Sequence, residues 1–429
     1  MRFLGLKSLA KEYDMMKRVN LICTKRKKAF PIEHVYPRCD SCNEPLEVEK
    51  VTKVKINEAN ILKQTMLERY ADFFPFAKVD KDISLHEGFT PLVGSLKLAS
   101  ELNIKNIFFK NESQNPTWSF KDRGTVVGIQ HAISLGYKRI GTVSTGNMAV
   151  SVAAYGAKAD LTTFILVRAD LPPEKLNPIA IYHPILIKVD GDYGKLYFHS
   201  LEIGRQNDIY FINSDVPFRV EGSKTIAFEI CEQMGFEVPD YVVVPTSSGG
   251  NIRGILKGFE EFKLSGLISK VPKMVCAQAR GCSPIYNAYI KNEEIISRVE
   301  TPHTIAQAIA NPYPPSGNEV LRKIKDNGGI FVAVTDEEIL RAQKRLAKEG
   351  IFGQPASAVP LAAVKKLRKE NILNENDTVV CIVTGSGLKS TAVLEKHDLK
   401  VLQCKLNGLN RLMEGVFHPG GSSSLNPGG

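Results

Sequence analysis

At 429 residues the chain is too long for one small core, so about two or three domains are expected. Its 43% hydrophobic and 24% charged residues suit an ordinary globular protein, and no run approaches the roughly 18 apolar residues that span a bilayer. A net charge of +10 admits nucleic acid or an anionic small ligand, but the one dense basic run, Lys25-Arg26-Lys27-Lys28, has no interleaved aromatics and reads as a solvated loop. Nucleic-acid and membrane partners are therefore set aside. Charges interrupt the first apolar residues too early for a secretory signal, which points to the cytoplasm.

The first 80 residues differ from the rest. They hold Cys23, Cys39 and Cys42, then a polar, helical-looking stretch at 57–70. The other cysteines, Cys231, Cys276, Cys282, Cys381 and Cys404, sit in apolar or mixed segments and read as reduced, packed thiols. From about residue 104, short apolar runs rich in β-branched and aromatic residues recur at 106–110, 139–143, 162–167, 185–189, 241–244, 273–277, 330–334 and 378–383. Helical segments lie between most of them, at 124–135, 149–158, 224–234, 252–263, 337–348 and 356–368. This alternation predicts an α/β protein with mostly parallel sheets covered on both faces. Thr335-Asp336-Glu337-Glu338 has the capping-box form, and Gly350 stands where that helix should stop. The glycine- and serine-rich end, within 416–429, reads as a flexible tail.

Ligands of such folds bind in the loops that lead from strand ends to helices. In the first such loop, Ser119 is a candidate N-cap with Asp122 as its partner, and Lys121 falls in the first helical turn. There the helix dipole and Arg123 disfavour an ammonium, and a lysine so lowered forms a Schiff base with an aldehyde. Taken alone, Lys121 is equally a surface lysine in a first turn. The second loop, Ser144-Thr145-Gly146-Asn147, suits a carboxylate, or is simply a capped turn. Ser247, Ser248, Gly249, Gly250 and Asn251 in the third make a phosphate cradle, without the lysine-Ser/Thr ending of a P-loop. In the fourth, Thr384 can bond a ring nitrogen, or the loop is a plain glycine turn. Together the loops offer an amine, a carboxylate nest, a phosphate nest and a hydroxyl, which are the needs of pyridoxal phosphate and an amino acid.

At these residues, over roughly 86–391, the sequence resembles the fold-type II pyridoxal-phosphate family. Glu87-Gly88-Phe89-Thr90-Pro91-Leu92 resembles the family's segment before the first core strand, and 110–124 its cofactor-lysine motif, which implies Lys121 as the cofactor-bearing residue. The resemblance places Asn147 at the cofactor ring oxygen, Ser247 to Asn251 at its phosphate and Thr384 at its pyridine nitrogen. A hydroxyl at that nitrogen implies elimination and replacement in preference to transamination. Phe211 to Ser214 and Arg219 to Thr225 resemble the segment that holds the phosphate of O-phosphohomoserine in one branch of the family. That implies Asn213, Ser214, Arg219 and Lys224 as substrate-phosphate residues, with Ser144, Thr145 and Gly146 at the substrate carboxylate. The alternative for Arg219 and Lys224 is a salt-bridged helix entrance.

The implied activity is a lyase that converts O-phospho-L-homoserine and water to L-threonine and phosphate. A phosphoserine-using synthase, such as cysteate synthase, or a threonine dehydratase is the nearest alternative. The implied fold is two doubly wound α/β domains with the cofactor in the cleft between them. The large domain takes 81–124 and 214–415, the smaller mobile one 125–213, and homodimers are common in the family. Departures fall at Trp118, normally glycine, and at Met148, Val216, Ser247, Ser248 and Gln354. Residues 1–80 resemble a ribbon found on some of these enzymes. A tetrahedral zinc site wants two Cys-x-x-Cys pairs, but here the first reads Cys23-Thr24-Lys25-Arg26, and His34 would substitute only with unusual geometry. A degenerate ribbon without metal is expected.

Overall fold

Every apolar run expected to be a strand is one in the computed structural model, which describes residues 19–54, 63–191, 193–214 and 216–417. Near the N-terminus β1 (Asn20–Cys23), β2 (Ala29–Pro31) and β3 (Leu46–Val48) form an antiparallel ribbon with β1 at its centre. Next come β4 (Leu92–Gly94) and β5 (Asn106–Asn111), paired antiparallel. The strands β6 (Arg139–Val143), β7 (Thr162–Arg168), β8 (Ile185–Val189) and β9 (Tyr210–Phe211) make a parallel sheet in the order β8-β7-β6-β9. Finally β10 (Tyr241–Pro245), β11 (Lys273–Ala279), β12 (Ile330–Val334) and β13 (Thr378–Val383) join the earlier pair in the order β12-β11-β10-β13-β5-β4, parallel except for β4. β10 is buried at every position, as a central parallel strand of valines should be, whereas β8 at a sheet edge has no buried position. The ribbon strands, β4 and β9 escaped the sequence reading because none exceeds 4 residues, too few to show a period.

Six helices position the site: α1 (Lys121–Ser134), α2 (Asn147–Lys158), α3 (Pro217–Gln233), α4 (Gly250–Leu264), α5 (Asp336–Ala347) and α6 (Pro355–Lys369). The capping box of α5 is present, and Gly350 takes a φ of 78°. α3 starts well before the expected 224: Arg219 and Lys224, for which a salt-bridged helix entrance is the alternative, are buried helix residues, as is Glu221. α3 meets its neighbours backbone to backbone: a Cβ on Gly222 would lie 2.1 Å from Arg123 O, and one on Gly258 2.3 Å from Lys224 O.

α1 runs unbroken across the domain boundary expected at 124/125. The described residues up to 391 form one compact unit and those from 392 on another, which holds the helix Leu409–Phe417. The tail lies, from 418 on, outside the described residues, as does 57–62 of the stretch read as helical; its described remainder holds only Met66–Arg69. Cys404 is exposed, unlike the other four thiols expected to be packed. Among the described residues no helix is long and apolar enough to cross a membrane.

Candidate active site

β5, β13 and β10 are parallel neighbours, so the loops leaving their carboxyl ends share one edge of the sheet. The loops after β5 and β13 are stitched together: Phe120 N–H donates to Thr384 O at 3.0 Å and Ser386 N–H to Trp118 O at 3.0 Å. The loop after β6 comes from the other sheet and reaches the same place. Asn147 Nδ2 donates to Gln354 Oε1 at 3.2 Å, and Gln354 N–H donates to Gly385 O at 3.0 Å. Thr384 Oγ1 stands 3.3 Å from Ser357 Oγ, which also donates to Gly385 O at 2.8 Å. Lys121, Asn147 and Thr384 thus come from three loops tied to one another, with Ser247 to Asn251 on the adjoining strand end.

Lys121 is the first residue of α1. Ser119 is not its cap: Phe120 holds that position without a side-chain capping bond. Asp122 instead turns its carboxylate back onto Thr117, accepting from its N–H at 2.7 Å and from its hydroxyl. Lys121 Nζ lies 4.5 Å from the Phe120 ring centroid. Burial, and then the charge of Arg219, lower its pKa from 10.5 to about 7. Arg219 is buried and donates to Thr125 Oγ1 at 2.9 Å and to Lys121 O at 3.2 Å, and burial pushes its own pKa down to about 10. An amine that is neutral near pH 7 attacks a carbonyl carbon.

Two helix starts offer anion sites, since a first turn leaves its N–H groups unpaired. α4 begins after Gly249, whose φ is +102° and where a Cβ would strike Val320 Cγ2 at 2.7 Å, so only glycine fits. Both amide atoms of Asn251 and the Ser119 hydroxyl are buried without a protein partner, a state that calls for a ligand or water. α2 begins after Gly146, where a Cβ would meet nothing within 4 Å, and Ser144 Oγ accepts from Gly146 N–H at 3.3 Å.

Two expected substrate residues have other employment. Lys224 Nζ is buried and bonded to Phe73 O at 2.7 Å, Glu221 at 2.6 Å and Glu261 at 2.8 Å, and Glu221 also pairs with Lys257. Asn213 Oδ1 accepts from Val143 N–H at 3.0 Å and its Nδ2 donates to Ser200 Oγ at 2.9 Å, which fixes the exit of β9 to β6. Lys224 is the salt-bridged alternative, and the Asn213 amide is engaged on both its oxygen and its nitrogen. Ser214 is half-buried at the turn before α3. The sequence reading missed Ser357 and Lys389; burial brings the Lys389 pKa down to about 8, and its Nζ donates to Thr117 O at 2.7 Å. Trp118 takes a φ of 63°, the left-handed region that favours the glycine its position normally holds.

The family of pyridoxal-phosphate dependent enzymes matches residues 83–385. Among curated proteins, the chain is 41% identical over 343 residues to the threonine synthase of Methanocaldococcus jannaschii, covering 78% of this chain and 84% of that one. It is 36% identical to the threonine synthase of Methanosarcina acetivorans, covering 79% and 84%. Among solved structures, a maize serine racemase aligns with a TM-score of 0.61 at 20% identity over 77% of this chain and 94% of that one. The processed threonine deaminase isoform 2 of Solanum lycopersicum aligns at 0.59 and 20%, over 76% and 82%. The two structures speak for the fold alone.

Proposed function

The chain belongs to the family of pyridoxal-phosphate dependent enzymes, and from that premise we propose that it converts O-phospho-L-homoserine and water to L-threonine and phosphate. Its coenzyme is pyridoxal 5′-phosphate. The orphaned Asn251 amide and Ser119 hydroxyl, and a cradle at Gly249 that a Cβ would fill, fit that group. When bound, the coenzyme supplies an aldehyde and an electron-withdrawing ring that makes the substrate Cα proton acidic. Lys121 is the amine that holds the aldehyde. Ser247, Ser248, Gly249, Gly250 and Asn251 hold the phosphate at the start of α4. Asn147 and Thr384 hold the ring, and the Thr384 hydroxyl leaves its nitrogen without a carboxylate partner.

Ser144, Thr145 and Gly146 take the substrate carboxylate at the start of α2, while Arg219 and Ser214 take its phosphate. Lys121 Nζ would move protons at substrate Cα, Cβ and Cγ. The Cγ–O bond would break and phosphate leave with its bridging oxygen, Cγ would take up the proton given up by Cβ, and the oxygen of water would bond to Cβ as the water proton passes to the phosphate. Residues 125–213, which carry β6 to β9, form a smaller body that closes over the site and excludes bulk water. The same proposal makes the enzyme a cytoplasmic homodimer.

The observation that carries this reading is a lysine in the first turn of α1 where the tied loops meet, with the buried Arg219 guanidinium bonded to its carbonyl. Phosphate release from O-phosphohomoserine and from phosphoserine, assayed side by side on the coenzyme-loaded protein, tests it. Turnover of phosphohomoserine to threonine is expected. Faster turnover of phosphoserine, with sulfite as co-substrate, would overturn the substrate assignment and leave the coenzyme in place.

A further inference from the structure

The ribbon sequence is one thiol short of two Cys-x-x-Cys pairs, yet the folded ribbon contains two matching turns. In the first, Cys23 O accepts from Lys27 N–H at 2.9 Å and Cys23 N–H donates to Lys28 O at 2.8 Å. In the second, Cys39 O accepts from Asn43 N–H at 2.9 Å and Cys39 N–H donates to Glu44 O at 2.9 Å. The fifth residue of each turn is left-handed, with φ 59° at Lys27 and 54° at Asn43. Arg26 therefore stands in the first turn where Cys42 stands in the second. The Arg26 N–H still donates to Cys23 Sγ, at 3.2 Å, the kind of bond that stabilises a thiolate.

The turns face each other across the ribbon. Cys23 Sγ and Cys42 Sγ are 3.5 Å apart, and all three sulfurs of Cys23, Cys39 and Cys42 lie within 4.8 Å of one another. Sulfurs bound tetrahedrally to zinc at about 2.3 Å stand about 3.8 Å apart, so little movement closes the set on one ion. Cys23 and Cys39 are buried and Cys42 is half-buried, which leaves one side open to solvent. We propose that these three thiolates hold one divalent, thiophilic cation of the zinc class, with water as the fourth ligand in the place a thiol at position 26 would take. Binding releases the three thiol protons to solvent and leaves a site of net charge minus one. The basic run Lys25-Arg26-Lys27-Lys28, with no role in the amino-acid site, forms part of the first turn beside this anion, and Lys28 is tied to the second turn by its 2.7 Å ion pair with Asp40.

The test uses the full-length, coenzyme-loaded protein, stripped of metal by a chelator under reducing conditions and then given Zn2+ or Co2+. One Zn2+ per chain should survive desalting. Co2+ should give a thiolate-to-metal charge-transfer band, read as a difference spectrum against Cys42→Ser. Cys42→Ser should lose that band and at least about tenfold in Zn2+ affinity, while Cys404→Ser matches the parent. Arg26→Cys completes the first pair and should tighten Zn2+ by at least about tenfold, a gain that stays readable even if removing a thiol unfolds the ribbon. A parent protein that retains no Zn2+, a Cys42→Ser protein that binds equally well, or an Arg26→Cys protein with unchanged affinity overturns the proposal.

Discussion

Lys121 owes its lowered pKa to its apolar surroundings and to the Arg219 guanidinium, which Thr125 and the Lys121 carbonyl hold in place. The sequence reading expects a different cation beside Lys121. Arg123, its neighbour in the chain, is neutralised by ion pairs of 2.6 Å to both Glu112 and Glu229, so it cannot press on the amine. Arg219 lies far along the chain, and only the packing of α3 on α1 brings it close. A pH dependence follows. Below about pH 7 the amine carries its proton and cannot attack an aldehyde; above it the amine is free, where an ordinary lysine would stay charged up to 10.5. The rate of coenzyme uptake by the apoprotein should therefore rise through a midpoint near pH 7 and level off. In an Arg219→Met protein the midpoint should move up. An uptake rate that keeps climbing toward pH 10 would contradict this account of the amine.

At the scale of elements, α3 decides how two similar-looking cations are used. Arg219 and Lys224 sit on one helix, and both read as anion ligands in sequence. Burial on all faces of α3 removes the amphipathic signal that would have separated them, which is also why its start was misplaced. In the fold Lys224 joins Glu221, Glu261 and Lys257 in a fully buried network, whereas Arg219 pairs with no carboxylate among the described residues and keeps its charge beside Lys121. Replacing Lys224 with methionine strands buried carboxylates and should cost about 3–5 kcal/mol of stability. Urea unfolding and substrate saturation curves check this: an earlier midpoint with little change in the KM of the protein that remains folded is expected. Unchanged stability with a raised KM would return Lys224 to the substrate site.

Across the whole molecule, the sequence showed what each loop was made of but not which loops meet. β-branched runs and glycine-hydroxyl loops are local signals, and the long strands and their trailing turns fell where those signals lie. Parallel order is a long-range property. The adjacency of β5, β13 and β10, which puts the loops after 111, 383 and 245 on one edge, has no trace in any single segment. The tie from Asn147 to Gln354 across two sheets is equally invisible there. The resemblance to a family supplied that arrangement; in the fold Lys121, Asn147 and Thr384 lie on loops bonded to one another, while Asn213 and Lys224 are engaged in other bonds.

The central claim is that the Lys121 amine carries the coenzyme. Its most direct test is the visible spectrum of the purified, coenzyme-loaded protein before and after borohydride reduction, followed by peptide mapping. The account predicts an imine band that reduction abolishes, with the pyridoxyl group mapped to Lys121. A protein that shows no such band when supplied with pyridoxal 5′-phosphate, or an adduct mapped to Lys389 or another lysine, would contradict it.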